Sequence, residues 1–498
     1  MQMFIGYAGI GLFLVLVTLV MEKTRKTDAD FSEYSTAGRS FGPFYGTMAY
    51  LNTFLPGTVF ISFAGLAAAS GLIGFYLVAY SLLGMFLMYA LAPHVHTWGR
   101  KYDLRTQSDL LRLRYRSRTV QIVSAAIGTI ATIPWIVLGM QSLALVFETL
   151  SFGAIIPLGA VLISVLFICI RQIWTVRFGM RGIIISDLVQ GIFAYFVGTV
   201  VAVGLIVWLI TNGHGFDQVP PSFFTLPGAG SSLGPLYAVS IVLTGALGTW
   251  CWPDIFMRLF TANSARTVRK TAVQAAPLLL IFGTAVLLVA FLAASMPEVA
   301  AAPDRVWFTV AQVGGVGLLT IVGICVVAAT MGNVGANLQA AGTLAANDIV
   351  GAISGTRVHS ARTGKIAVVA VTAISGFAAL FTAHVTSGLL ALALVSYQGI
   401  VQLAPTLLLG IFWKRGNAVG AVGGMISGFT TAAALQIAYP VSIPWLGGLT
   451  SGVAALLVNV LVYVGCAYAI QPKPELSSHL DELWTAGAET HEPVEVRQ

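Results

Sequence analysis

Long apolar runs separated by short polar, basic or Gly/Pro-rich stretches make up nearly the whole chain. Runs able to cross about 30 Å of hydrocarbon lie near 3–21, 44–70, 74–98, 119–149, 154–173, 180–212, 233–261, 272–296, 317–350, 363–382, 386–412, 417–438 and 445–469, which predicts an all-α protein with thirteen transmembrane helices. Two of these spans contain residues that a continuous helix tolerates poorly. In the second span the sequence reads Asn52-Thr53-Phe54-Leu55-Pro56-Gly57. Pro56 lacks a backbone N–H and clashes with the preceding turn, and Gly57 gives the helix no side-chain support. In the seventh span the run Thr244-Gly245-Ala246-Leu247-Gly248-Thr249-Trp250-Cys251-Trp252-Pro253 is similarly weak. Backbone groups freed at membrane depth need partners, so such breaks survive only inside protein or against a cavity.

The broken spans occupy matching places. Each begins a set of five, spans 2–6 and spans 7–11. Five is odd, so the second set starts from the opposite side of the membrane and is inverted relative to the first. Paired interruptions in two inverted halves point to a binding site at the bilayer midplane. Two unrelated Gly/Pro kinks, common in membrane helices, would leave a similar trace.

Composition and charge agree with this layout. Of 498 residues, 57% are hydrophobic and only 9% charged, and the mean hydropathy is +0.87. With the N-terminus outside and the C-terminus inside, 25 of the 26 Lys and Arg fall on the cytoplasmic side, Arg305 being the exception. The net charge of +7 then reports membrane orientation and gives no support to nucleic-acid binding. Met3–Met21 has no basic residue before its apolar run and is followed by Lys23, Arg25 and Lys26, so it reads as a retained helix. Cys169, Cys251, Cys325 and Cys466 lie within spans without metal-ligand spacing and read as small packing residues. Residues 1–470 therefore form one transmembrane domain, with core repeats at about 44–212 and 233–412 and peripheral helices at 3–21, 417–438 and 445–469. Residues 471–498 form an acidic cytoplasmic tail. There Leu476, Leu480, Leu483 and Trp484 recur at helical spacing, as in an amphipathic helix against the cytoplasmic face; a flexible tail is the alternative.

Four stretches in order suggest kinship: Gly38-Arg39-Ser40-Phe41-Gly42-Pro43-Phe44; Arg181 to Gln190 with Ser186-Asp187; Trp252-Pro253 followed by Arg258; and Ala328-Ala329-Thr330-Met331-Gly332-Asn333 running on to Asn347-Asp348-Ile349. Together they resemble the sodium:solute symporter family over roughly Gly38 to Arg415. The resemblance implies a leucine-transporter-type core of five plus five inverted helices and cation-coupled uptake by alternating access. It also implies a sodium ion between the second and ninth spans, held by backbone carbonyls of Asn52, Leu55 and Ala329 and by two hydroxyls. The hydroxyl positions are Gly332 and Asn333 here, so one ligand is missing and the other becomes an amide oxygen. A carboxylate carried by some members in the broken span is Phe54 here. Thr330, Asn333 and Asn337 still form a polar stripe on the ninth span, which interhelical packing would also explain.

Asp187 and Asp254 are the acids deepest within predicted spans, and an intramembrane carboxylate is a functional candidate by default. The resemblance assigns Asp187 to ion release or gating; pairing with Arg181 or Arg258 is the structural alternative. Asp254 and Arg258 read as gate or anchor residues. Candidate solute contacts are Thr53, Phe54, Gly57 and Thr58 at the first break, Gly245, Gly248, Thr249 and Trp250 at the second, and Trp135 and Gln141 in the fourth span. The charge assignment leaves no Lys or Arg in the core, so an anionic solute would rest on half-helix N-termini.

Small, aromatic and neutral polar groups at the breaks suit a small organic acid or amino acid. Ile133-Pro134-Trp135 to Gln141, with Phe54 in place of an acid, is similar to monocarboxylate-permease members of the family. The expectation is a sodium-driven symporter of the bacterial inner (plasma) membrane whose partners are a small solute and the lipid bilayer. It needs no cofactor beyond the coupling ion and catalyses no covalent reaction. Proton-coupled or ion-independent transport, and a transporter-like nutrient sensor, are the alternatives.

Overall fold

The computed structural model describes residues 1–23, 30–384, 389–470 and 474–488. Its described elements are all helical, apart from two isolated bridges, Phe41 to Ala262 and Ile443 to Leu449. Among the described residues, ten helices are long and apolar enough to cross a membrane, or eleven if the bent pair Tyr237–Cys251 and Pro253–Thr261 counts as one span. The protein is therefore an integral, multi-pass membrane protein.

Three of these helical runs, Gly57–Lys101 of 45 residues, Pro303–Ser354 of 52 and Pro157–Thr211 of 55, exceed any bilayer; a straight helix of the last length would reach about 80 Å at 1.5 Å per residue. Each changes direction at a glycine. Gly71 has φ +70° and ψ −132°, Gly179 has φ +61° and ψ −148°, and Gly315 has φ +63° and ψ −160°. A side chain at Gly71 or Gly179 would suffer this backbone and also strike a neighbour: Phe223 against Gly71, Tyr34 against Gly179.

The second predicted span is broken as its sequence suggests. The helix Pro43–Phe54 starts with proline at a first-turn position, where the missing N–H costs nothing. It ends as Leu55 leaves helical geometry at φ −105°, ψ 87° and Pro56 is extended at ψ 170°. A short 3₁₀ turn, Gly57–Val59, leads to the helix Ser62–Ser70. In the seventh span, Tyr237–Gly248 passes through the 3₁₀ turn Thr249–Cys251, Trp252 is extended, and Pro253 begins the helix Pro253–Thr261. The bend there is 49°.

One helix forms the centre of the bundle. In Gly315–Leu344 every residue from Cys325 to Leu344 is buried, which explains why its apolar positions show no one-sided stripe. It packs against Gln2–Glu22, Arg118–Leu150, Pro157–Gly191 and Ala361–Phe381. Ala418–Ala438 and Ser451–Ala469 pair with each other at the periphery.

At the basic end of the bundle, the helix Pro474–Ala488 docks where an amphipathic helix was expected. Leu480 and Leu483 are buried, the Trp98 indole donates to the Leu483 carbonyl at 2.9 Å, and Lys414 pairs with Asp481 at 2.7 Å. Of the tail, residues 471–473 and 489–498 lie outside the described set. The four cysteines are free thiols.

Candidate functional site

The first break is held open by side chains. The Tyr195 hydroxyl lies 2.9 Å from both the Leu51 and the Leu55 carbonyl oxygens and 3.2 Å from Asn52 Oδ1. Asn333 Nδ2 donates to the Thr53 carbonyl at 2.6 Å, while Asn333 Oδ1 accepts from the Trp135 indole at 3.1 Å. The second and ninth spans are thus joined at the interruption through the Thr53 carbonyl.

Beside it lies a buried charged network. Asn52 Nδ2 donates to Asp187 Oδ1 at 3.0 Å and to Gln190 Oε1 at 2.8 Å. The other Asp187 oxygen accepts from Arg258 Nη2 at 2.9 Å, and Arg258 also donates from Nε and Nη2 to Thr53 Oγ1, at 2.9 and 2.6 Å. The Arg258 and Asp187 side chains are 3% and 0% exposed, deep enough that neither charge can be left unpaired cheaply. Asp187 has thus found Arg258, not Arg181, which lies 3.9 Å from Glu33. Asp254, near the start of the Pro253–Thr261 helix, accepts from Asn337 Nδ2 at 2.8 Å.

Arg171 is a further buried cation. It donates to the Thr175 hydroxyl, and at 3.3 Å to that of Ser186, and has no ion pair within 4 Å among the described residues. The expectation of a core without Lys or Arg is therefore wrong: Arg171 and Arg258 are 0% and 5% exposed. Both stand near span ends in the sequence, but their helices turn these side chains into the bundle.

Two glycines of the ninth span make room for this network. A Cβ at Gly332 would collide with Asn52 Nδ2, and one at Gly335 with the Arg171 guanidinium. Where the resemblance implies a hydroxyl ligand at position 332, the space holds the Asn52 amide. Of the sodium ligands implied by that resemblance, Asn52, Leu55, Gly332 and Asn333 come together. The Leu55 carbonyl and the Asn333 amide oxygen already accept protein hydrogen bonds. Ala329 is buried one turn earlier on the same helix.

Aromatic rings fill the other side. Tyr50 stacks between Phe54 and Trp250, at centroid distances of 5.3 and 5.8 Å. Trp135, Trp252 and Tyr397 pack mutually at 5.2 to 5.4 Å, and the Tyr397 and Tyr80 hydroxyls meet at 3.0 Å. The Trp250 indole donates to the Gly84 carbonyl at 2.9 Å and Thr249 Oγ1 to Gly245 O at 2.7 Å. Gly57 lies against Thr330 and Val326, Gly245 against Tyr80, and Gly248 faces Val401 at ordinary contact distance. Gln141 stands apart, donating to Thr382 Oγ1 at 3.0 Å. The buried hydroxyls of Tyr50, Thr58 and Thr244 near the breaks have no hydrogen-bond partner among the described residues, which in a buried setting calls for explanation by a ligand or water.

Sequence reasoning did not single out Tyr195, Tyr80 or Tyr397. Tyr397 carries a faint signal, since Ser396-Tyr397-Gln398 is a polar island in an apolar span; Tyr195 gives none.

The sequence profile of the sodium:solute symporter family matches residues 34–428. The chain belongs to that family. Among its relatives is the uncharacterized symporter YhjB of Bacillus subtilis (strain 168), 26% identical over 91% of this chain and 94% of that protein. A monocarboxylate transport permease protein of Rhizobium johnstonii is 26% identical over 55% of this chain and 57% of its own length. A sodium/proline symporter of Staphylococcus aureus (strain JH9) is 23% identical over 84% and 82%. Among solved structures, a Na⁺-coupled sialic acid symporter in a substrate-bound, outward-open state superposes with a TM-score of 0.76, covering 94% of this chain and 98% of its own at 17% identity. The two share a fold. The family and its structural neighbours are transporters, not enzymes.

Proposed function

We propose that this symporter imports a small organic acid or amino acid by alternating access, driven by sodium, across the inner (plasma) membrane of a bacterium. The observation that carries the reading is the meeting of the two broken spans around buried, unpartnered hydroxyls: Tyr50 and Thr58 at one break, Thr244 near the other. The aromatic walls and these few donors match a small solute with a polar end better than a sugar, and the monocarboxylate and proline relatives point the same way. Thr53, Phe54, Gly57, Thr58, Trp135, Gly245, Gly248, Thr249 and Trp250 would form the walls. Gln141, bonded elsewhere, would serve at most the outer rim.

The same reading takes thirteen crossings with the N-terminus outside and a five-plus-five inverted core within one transmembrane domain. The turns at Gly71, Gly179 and Gly315 support it, because they divide the three overlong helical runs into shorter helices.

A second reading, proton-coupled or ion-independent transport, has one observation in its favour. The Asn52 amide fills the space at Gly332, and the Leu55 and Asn333 oxygens are already engaged. Uptake of lactate, pyruvate, acetate and proline into proteoliposomes under an imposed sodium gradient separates the two. Sodium-driven uptake is expected for at least one of them, with Asn333→Ala raising the required sodium concentration about tenfold, a change of about 1.4 kcal/mol. Equal rates with choline replacing sodium would leave only the second reading.

A further inference from the structure

Arg258 is a strong donor spent on weak acceptors. Its Nε and Nη2 both point at a single hydroxyl, Thr53 Oγ1, and Nη2 is shared with one Asp187 oxygen. Among the described residues its Nη1 meets only the Met180 thioether, at 3.4 Å. A guanidinium prefers two parallel bonds to one carboxylate, and sulfur is a poor acceptor. The Nη1–Nη2 edge is thus underused, and through Thr53 it is tied to the first break itself.

With all four ionised, the two carboxyls Asp187 and Asp254 balance the two guanidiniums Arg171 and Arg258, and all four side chains are 5% exposed or less. A lone anion or a lone cation entering this layer would leave one uncompensated charge in a low-dielectric interior, which is costly. Entry of both together keeps the balance.

We propose that Arg258 is the receptor for the solute's carboxylate, and that it trades Asp187 for that carboxylate during transport. The inference rests on the symporter reading above. When the solute takes the Nη1–Nη2 edge, Asp187 Oδ2 loses its guanidinium while Oδ1 keeps the Asn52 amide. The freed carboxylate oxygen is a hard, anionic ligand, and a sodium ion restores its charge balance. Solute and ion then favour each other because each supplies the charge that the other's arrival demands. By linkage the effect is reciprocal: solute tightens sodium binding by the same factor as sodium tightens solute binding.

The test measures sodium and pyruvate binding to the purified protein by calorimetry, with pyruvamide as the uncharged analogue. In the wild type, pyruvate should lower the sodium Kd about tenfold or more, and pyruvamide should leave it unchanged. Arg258→Gln should bind sodium more tightly than the wild type without pyruvate, because Asp187 is already free, and pyruvate should no longer alter that affinity. Arg258→Lys keeps the charge without the fork and should retain part of the coupling. If Arg258→Gln fails to fold, the charge-balanced Arg258→Gln, Asp187→Asn double variant takes its place. It should fold yet show neither pyruvate binding nor coupling.

Wild-type coupling between pyruvate and sodium that survives in either glutamine variant would overturn the role of Arg258 while leaving the symporter reading intact. A wild type that binds none of pyruvate, lactate, acetate or proline in a sodium-dependent way would overturn both.

Discussion

At the first break, side chains support the interrupted backbone: Tyr195 serves the Leu51 and Leu55 carbonyls, and Asn333 serves that of Thr53. At the second, the support is mostly shape. Trp250 stacks on Tyr50, Trp252 packs on Trp135 and Tyr397, and Pro253 restarts the helix. Direct polar support there is modest: the Trp250 indole on the Gly84 carbonyl, and Thr249 on its own helix. Two breaks with similar sequence causes thus have different chemistry, polar and charged on one side, aromatic on the other. A layer of hydrogen bonds fixes geometry and charge, whereas a layer of rings tolerates different occupants. This division suits a transporter whose polar wall handles the ion and the solute's charged end while its aromatic wall holds the solute's body.

Four single substitutions, one of them extended to a double variant, probe the contrast in order of decreasing effect. Asp187→Asn strips the countercharge from Arg258 inside the polar layer and should cost roughly 3 kcal/mol of stability. In transport assays it should slow turnover more than it weakens solute binding, and unchanged uptake would make the residue structural. Gly332→Ala should cost about 1–3 kcal/mol through overpacking against Asn52, read as a lower Tm in detergent. Adding Asn52→Ala should recover part of that loss, since the two positions share one space; strict additivity would show that they do not. Tyr195→Phe removes one hydroxyl that serves two carbonyls and should cost about 2 kcal/mol. Trp250→Phe at the second break loses a single hydrogen bond and part of a stack, for about 1 kcal/mol. A tryptophan change larger than the tyrosine change would reverse the division of labour described here.

The breaks themselves were legible because Pro56, Gly57 and Pro253 act locally; proline and glycine alter the backbone wherever the chain goes. The polar stripe Thr330, Asn333 and Asn337 was visible for the same reason, through helical spacing on a single element. What joins Asn52 to Asp187 was not, since 135 residues separate them and only the packed bundle brings them together. Arg171 and Arg258 were misread because positive charges near span ends sort naturally into cytoplasmic loops. That rule counts distance along the chain and is blind to which way a side chain turns. Position 332 showed the converse: the loss of a hydroxyl was plain in the sequence, but only the structure supplies its counterpart, an amide from another helix.

That exchange has an evolutionary corollary. Asn52 and Gly332 occupy one shared volume, so a lineage cannot alter them independently. Placing serine or threonine at position 332 first would create a clash. Shortening Asn52 first would take one donor from Asp187 Oδ1 and Gln190 Oε1, yet it opens the space. The passable route between the two site designs therefore runs through a small residue at position 52, and intermediates along it should carry alanine, serine or glycine there.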